Sequence, residues 1–168
     1  MPIRLLLSVL LALLLPACGF HLRGSLPASG AAKSIVIQGI SRNHPFYQNF
    51  SQVLSYSGGW LVDKPEQASV VIQISRARHE RRPITLSKQG LANTFDLSFL
   101  VQYEVLSPKG EKLLKQQELE VRRDYFNDQS APLGQAEEEG QMRLEMEREA
   151  AQALFRRVVS VLGHSTGS

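Results

Sequence analysis

Apolar and polar positions alternate most clearly in the middle of the chain. Phe95, Leu97, Phe99, Val101, Tyr103 and Val105 point one way, and Thr94, Asp96, Ser98, Gln102 and Glu104 the other, with Leu100 the exception. That period of two predicts a strand with one face on a core and one face wetter. A tight turn, Ser107-Pro108-Lys109-Gly110, follows, so the next strand (Glu111 to Phe126) should return antiparallel; its alternation is clear only from Leu119 to Tyr125. Upstream, Ala68 to Arg82 predicts a long strand, with Val70, Ile72 and Ile74 facing one side and Pro83 ending it. A shorter β-branched run, Ser34 to Gln38, closes at Gly39.

Two segments carry helical spacing instead. His44-Pro45 opens the first, with Phe46, Phe50, Val53 and Leu54 on one face and Gly58-Gly59 stopping it. The second is long, from about Pro132 to Leu162, with a core stripe of Leu144, Ala151, Leu154, Phe155, Val158, Val161 and Leu162. Glu137, Glu138 and Glu139 in its first turns and Arg156-Arg157 near its end suit the helix dipole, and Gly163 is the expected cap. The expected fold is therefore α+β: a two-layer sandwich, β-α-β-β-β-α, with two helices packed on one face of a mixed four-stranded sheet. Its first two strands should be parallel through a right-handed crossover.

The start of the chain obeys a different pattern. Leu5 to Leu15 is an apolar run broken only by Ser8 and preceded by Arg4. Eleven helical residues span about 16 Å, roughly half a bilayer core, so this is the hydrophobic region of a signal peptide. It ends in Leu15-Pro16-Ala17-Cys18, which resembles a bacterial lipoprotein box. Cleavage before Cys18 would leave a sulfur for a diacylglycerol and an amine for a further acyl chain. At about 0.8 kcal/mol per buried methylene, several such chains anchor a protein by themselves. The plainer alternative is an ordinary secretory signal followed by a free thiol. On the first reading, residues 1–17 are the signal peptide, 18–33 a lipidated N-terminus and small-residue linker, 34–162 one α+β domain and 163–168 a tail. Gly19, in place of an Asp, points to passage on to the outer membrane.

Composition then narrows the chemistry. The formal charge of +3 is small, because 16 acidic residues nearly balance 19 basic ones, so no nucleic-acid partner is demanded. A single cysteine excludes an intramolecular disulfide. His21, His44, His79 and His164 are scattered, and no nucleophile–base motif or paired carboxylates appear; no metal, cofactor or enzymatic activity is expected. Basic residues gather instead: Arg76, Arg78, His79, Arg81 and Arg82 before a loop holding Lys88, and Arg122-Arg123 on the last strand. Arginine binds phosphate with bidentate geometry, and an anionic glycolipid is the phosphate a periplasmic protein meets. The bland account of the same residues is solubility and protection of a sheet edge.

At Cys18-Gly19-Phe20-His21-Leu22-Arg23-Gly24 the chain resembles the lipopolysaccharide-assembly lipoproteins of the LptE (RlpB) family, whose mature chains begin Cys-Gly-aromatic-His-Leu-Arg. The aromatic strand end Tyr125-Phe126-Asn127-Asp128 and the helical pair Ala150-Ala151 extend the likeness. The resemblance implies a two-layer fold and an outer-membrane lipoprotein, facing the periplasm, that plugs the large barrel LptD as a 1:1 heterodimer. It also implies that the protein assists the barrel's folding and contacts lipopolysaccharide on its way to the outer leaflet. Of the family's two basic residues tied to that contact, Lys88 matches one, while Gln135 stands where the other would be. A two-residue clamp is therefore not carried over whole, and Arg78, Arg81, Arg82, Arg122 and Arg123 join Lys88 as candidates. The rival reading is a generic envelope lipoprotein serving another complex, which would leave surface lipopolysaccharide intact on depletion.

Overall fold

The computed structural model describes residues 33–86, 92–126 and 132–165. Cys18, the leader, most of the linker, Lys88 and residues 127–131 lie outside the described residues. The elements are β1 (Ser34–Gln38), α1 (Pro45–Tyr56), β2 (Trp60–Leu61), a 3-10 turn (Pro65–Gln67), β3 (Val70–Leu86), β4 (Ala92–Leu106), β5 (Lys112–Phe126) and α2 (Pro132–Ser165). They build an α+β fold with a mixed sheet in the order β2-β1-β3-β4-β5. β1 pairs in parallel with both β2 and β3, and the β3–β4–β5 meander is antiparallel.

The sheet has five strands, not the four expected. Two residues are too few to show alternation, so β2 is invisible as a pattern. Its place is set by the turn before it. Gly58 takes a positive φ of 81°, and a Cβ on Gly59 would fall 2.4 Å from Leu54 Cδ1 and 2.9 Å from the Lys33 carbonyl. Only glycine lets the chain leave α1 that tightly and bring Trp60 against β1.

α1 begins as its sequence predicts. His44 Nδ1 accepts from the Phe46 N–H at 3.1 Å, Pro45 occupies the first turn, and Phe46, Phe50 and Leu54 are buried. β4 also keeps its predicted face: all six alternating residues from Phe95 to Val105 are buried. The turn at Ser107 to Gly110 closes with Gly110 at φ 87° and the Gly110 N–H on the Ser107 carbonyl.

Three expectations need correction. Pro83 does not end β3, which runs on to Leu86. β1 stops at Gln38, opposite Gln73, so beyond that row β3 has a strand neighbour on one side alone, and a register shift lies between Pro83 and Thr85. Proline is tolerated on such an edge at a bulge. Leu144 is exposed; the stripe facing the sheet is Met146, Ala150, Leu154, Val158 and Leu162, flanked by Glu147, Ala151 and Phe155. Two residues of helix turn a side chain by about 200°, so Leu144 and Met146 cannot share a face. Finally, α2 continues through Gly163 to Ser165 and has no acid in its first turn, so neither the glycine cap nor the acidic start is realised.

One face of the sheet and both helices bury a continuous core through Ile35, Ile72, Phe99, Tyr103, Phe155 and Val158. β3 and α2 each run about 50 Å, on ~3.3 Å per strand residue and 1.5 Å per helical residue. They outreach β1, β2 and α1, so three strands and one helix project away from the end at which Lys33 leads into β1.

Candidate functional site

The projecting end carries every basic candidate that the structure describes. A register shift between Ile74 and Arg76 reverses the facing of β3 there. Before it, Val70, Ile72 and Ile74 face the helices; after it, Ala77, His79 and Arg81 do, opposite Val101, Phe99 and Leu97. Arg76, Arg78, Glu80 and Arg82 therefore fall on the open face. The rows read across three strands as Arg76–Gln102–Glu118, Arg78–Leu100–Glu120, Glu80–Ser98–Arg122 and Arg82–Asp96–Asp124.

This lattice is balanced rather than basic. Glu80 lies between two arginines, 2.5 Å from Arg78 and 2.5 Å from Arg82. The hydrogen bond from Arg82 holds the Glu80 carboxyl below its ordinary range against some desolvation, and the charges of Arg78 and Arg82 add to it. Arg122 sits 2.9 Å from Glu120, whose hydrogen bond and charge raise the guanidinium pKa further. Long side chains from both flanking strands cover β4 between them, leaving Leu100 and Ser98 buried on a face that otherwise meets water.

The helix-facing side of the same strands is polar too. Arg81 stacks 3.3 Å over the centre of the Phe95 ring and reaches Glu139 at 3.3 Å, and Glu139 also binds Arg143 at 2.6 Å. His79 Nε2 lies 2.8 Å from Glu147 Oε1, with the imidazole 4.5 Å from the Phe99 ring centre. The other Glu147 oxygen is buried and has no partner among the described residues. Arg123 pairs with Glu149 at the sheet's outer edge. Tyr125 donates to the Gln135 carbonyl at 3.0 Å, and burial, reinforced by Glu138 and Glu139, raises its phenol above the usual range.

The structure thus divides the arginines, with Arg78, Arg82 and Arg122 on the open face and Arg81 and Arg123 on the helix-facing side, and gives each a carboxylate partner. Gln135 is buried, and among the described residues its amide nitrogen has no partner. It lines a groove of about 520 Å³ with Asp124, Tyr125, Phe126, Gly134, Glu138 and Met142. Its lining holds two carboxylates, Asp124 and Glu138, with Arg81 close enough to act on the Tyr125 phenol, so the groove is more acidic than basic. Exposed Ile84 and Phe126 add apolar surface at the same end. Among the described residues there is no cluster able to hold a metal ion, and no helix is long and apolar enough to cross a membrane.

Sequence reasoning missed Glu147 and Glu139. The signal for Glu147 was present: it is the one charged residue in the run 147, 151, 154, 155, 158.

Comparison with known proteins agrees with the fold and with the family that the resemblance names. A family model described as LptE, Lipopolysaccharide-assembly, matches residues 32–158. The chain is 27% identical over 155 residues to the LPS-assembly lipoprotein LptE of Pectobacterium atrosepticum, covering 91% of this chain and 83% of that protein. Over 160 residues it is 24% identical to the LPS-assembly lipoprotein LptE of Yersinia enterocolitica, covering 95% and 76%. The solution structure of lipoprotein B from Nitrosomonas europaea superposes with a TM-score of 0.69 at 26% identity, over 84% of this chain and 91% of that one. The crystal structure of rare lipoprotein B from Shewanella oneidensis shares the fold, with a TM-score of 0.70 at 19% identity over 80% and 99%. With a matching family model across three quarters of its length and that architecture, the chain belongs to the LptE family of lipopolysaccharide-assembly proteins.

Proposed function

We propose that this protein is a non-enzymatic outer-membrane lipoprotein, acylated at Cys18 after loss of residues 1–17, that plugs the LptD barrel and assists its assembly while contacting lipopolysaccharide in transit. The match to the family model over residues 32–158 carries this reading. The projecting end supports it physically. A wide barrel lumen is polar and has to be filled without being glued shut, and plugged lumens occur among large barrels. A narrow arm of three strands and a helix, with its charges internally balanced, enters such a lumen at little desolvation cost. It offers arginines for lipid phosphates and Ile84 and Phe126 for acyl chains.

Because Arg78, Arg81, Arg82, Arg122 and Arg123 are already paired, an incoming phosphate must compete with carboxylates for them. On this reading Lys88 makes the primary contact and the arginines supply a background field. Purification of the native protein from detergent extracts recovers a large barrel protein in equal amount; its absence overturns the plug. Lys88→Glu weakens lipopolysaccharide binding by about 1.5–3 kcal/mol, the worth of a charge-assisted hydrogen bond. Unchanged binding returns Lys88 to the solubilising residues.

A further inference from the structure

The end of the molecule opposite the projecting arm holds two large exposed aromatics. Trp60 is 54% exposed and Tyr56 is 76% exposed, while Phe46 and Phe50 beside them in the chain are fully buried. They flank the Gly58-Gly59 turn, and the Trp60 N–H donates to the Lys33 carbonyl at 2.8 Å. Trp60 therefore sits where the tether enters the fold. Lys33 lies fifteen residues on from Cys18. A small-residue linker of that length has an end-to-end distance of roughly 20 Å and cannot exceed about 50 Å. Lipid at Cys18 holds this end, and not the arm, against the leaflet.

We propose that Trp60 and Tyr56 form a second membrane contact, resting at the headgroup level of the leaflet that carries the anchor; the proposal rests on lipidation at Cys18. Tryptophan and tyrosine favour this interface because an apolar ring and a polar edge suit its two sides. Among the described residues the indole N–H has no partner, and the Tyr56 hydroxyl meets only the Gln52 amide at 3.4 Å. The charge around them is right for anionic headgroups. Lys33 and Lys64 are exposed, and Arg42 is neutralised by Asp63 at 2.5 Å, leaving Glu66 as the unpaired acid nearby in the chain. A second copy fits poorly, because β2 is two residues long and offers almost no edge for strand addition. The contact would fix the angle of the body on the membrane and aim the arm away from the anchoring surface.

Trp60 is the chain's single tryptophan, so it reports on itself. The processed protein, purified from membranes and checked by mass for lipid at Cys18, is reconstituted in phosphatidylethanolamine–phosphatidylglycerol vesicles containing lipids brominated at set depths. The expected result is blue-shifted emission, protection from iodide, and strongest quenching by the shallowest bromines. Tyr56→Ser, which keeps the reporter, lowers that quenching roughly twofold by removing half of the aromatic anchor while leaving circular dichroism unchanged. A lipidated protein that floats with vesicles but keeps a red, iodide-accessible, unquenched Trp60 overturns the proposal and leaves the anchor intact. Protection from iodide without bromine quenching also overturns it, in favour of a protein covering the patch. An unlipidated Cys18 with no flotation overturns the anchor and the contact together.

Discussion

Near Lys33, where the chain enters β1, the sheet and its helices meet across Ile35, Ile72, Phe50, Leu54, Phe155 and Val158, and the exposed Arg157 reaches in only at the rim, to the Tyr103 hydroxyl at 3.4 Å and the Glu118 carbonyl at 3.2 Å. Farther along the same strands, past Ile74, they meet across His79 and Glu147, Arg81 and Glu139, and the Tyr125 hydroxyl on the Gln135 carbonyl. The first region has five strands and two helices, so it buries apolar area on every side and is held by area. The second has three strands and one helix beyond Phe46, which packs on Phe99 with ring centres 5.6 Å apart. It still buries Leu97, Phe99, Val101 and Met146, but with fewer layers around it, and it adds pairs whose geometry has to be right. Apolar burial is non-directional and contributes steadily, whereas a partly buried ion pair roughly offsets its own desolvation and chiefly specifies register. The difference divides the labour: a stable root at the Lys33 end, and an arm whose conformation is specified without great stability. On the proposed reading, an arm that enters a barrel lumen benefits from that.

The largest expected effect lies in the root. Phe50 is fully buried and packs edge-on against Phe155 with ring centres 6.4 Å apart. Phe50→Ala removes a ring that nothing nearby can replace, and should cost about 3–5 kcal/mol in urea unfolding, enough to unfold a marginal domain. A loss as small as that of a surface change would mean that the root is not where stability resides.

A double-mutant cycle across His79 and Glu147 sharpens the comparison. Glu147→Leu alone strands a partly buried imidazole nitrogen and should cost about 1–3 kcal/mol. Adding His79→Phe, which stacks on Phe99 and needs no partner, should return stability close to the parent or above it. That recovery is the mark of a pair retained for specificity. If the double variant is as unstable as the single one, the pair is a net source of stability and the contrast between root and arm weakens.

How much of this was written in the chain follows the same division. The root was legible, because apolar periodicity reports burial directly: Phe46, Phe50 and Leu54 in α1 and every alternate residue of β4 from Phe95 to Val105 lie where the pattern puts them. β2 was not legible, because two residues carry no period and its place depends on the Gly59 turn. The stripe of α2 was misphased at Leu144, since Met146 and Glu147 take the sheet-facing position. The basic cluster was legible as residues but not as a site. Which of Arg81 and Arg82 faces the helices depends on the bulge at Ser75, and whether they are free depends on Glu139, nearly sixty residues away in sequence, and on Glu80. Charge pairing between elements leaves no periodic trace, so a run of arginines looked basic when the surface that holds it is balanced.

The smallest expected effect tests the arm's own joint. The Tyr125 hydroxyl donates to the Gln135 carbonyl and ties the end of β5 to the first turns of α2. Burial, with Glu138 and Glu139 adding their negative charge, raises its pKa above the ordinary 10.0. The folded state therefore keeps the phenol protonated at a pH where the unfolded chain has begun to ionise. The stability that Tyr125 contributes is complete below pH 10.0 and is lost as pH rises through the higher folded-state value. Tyr125→Phe removes one neutral hydrogen bond, leaves the Gln135 carbonyl to find water, and should cost about 1 kcal/mol at neutral pH. It should also flatten the alkaline decline, so that urea midpoints of parent and variant approach each other above pH 10.0. Parallel midpoints across that range would show that the tyrosine is not buried at the joint. The arm would then be open at its far end, with Arg81 and Glu139 as the last contacts between strand and helix.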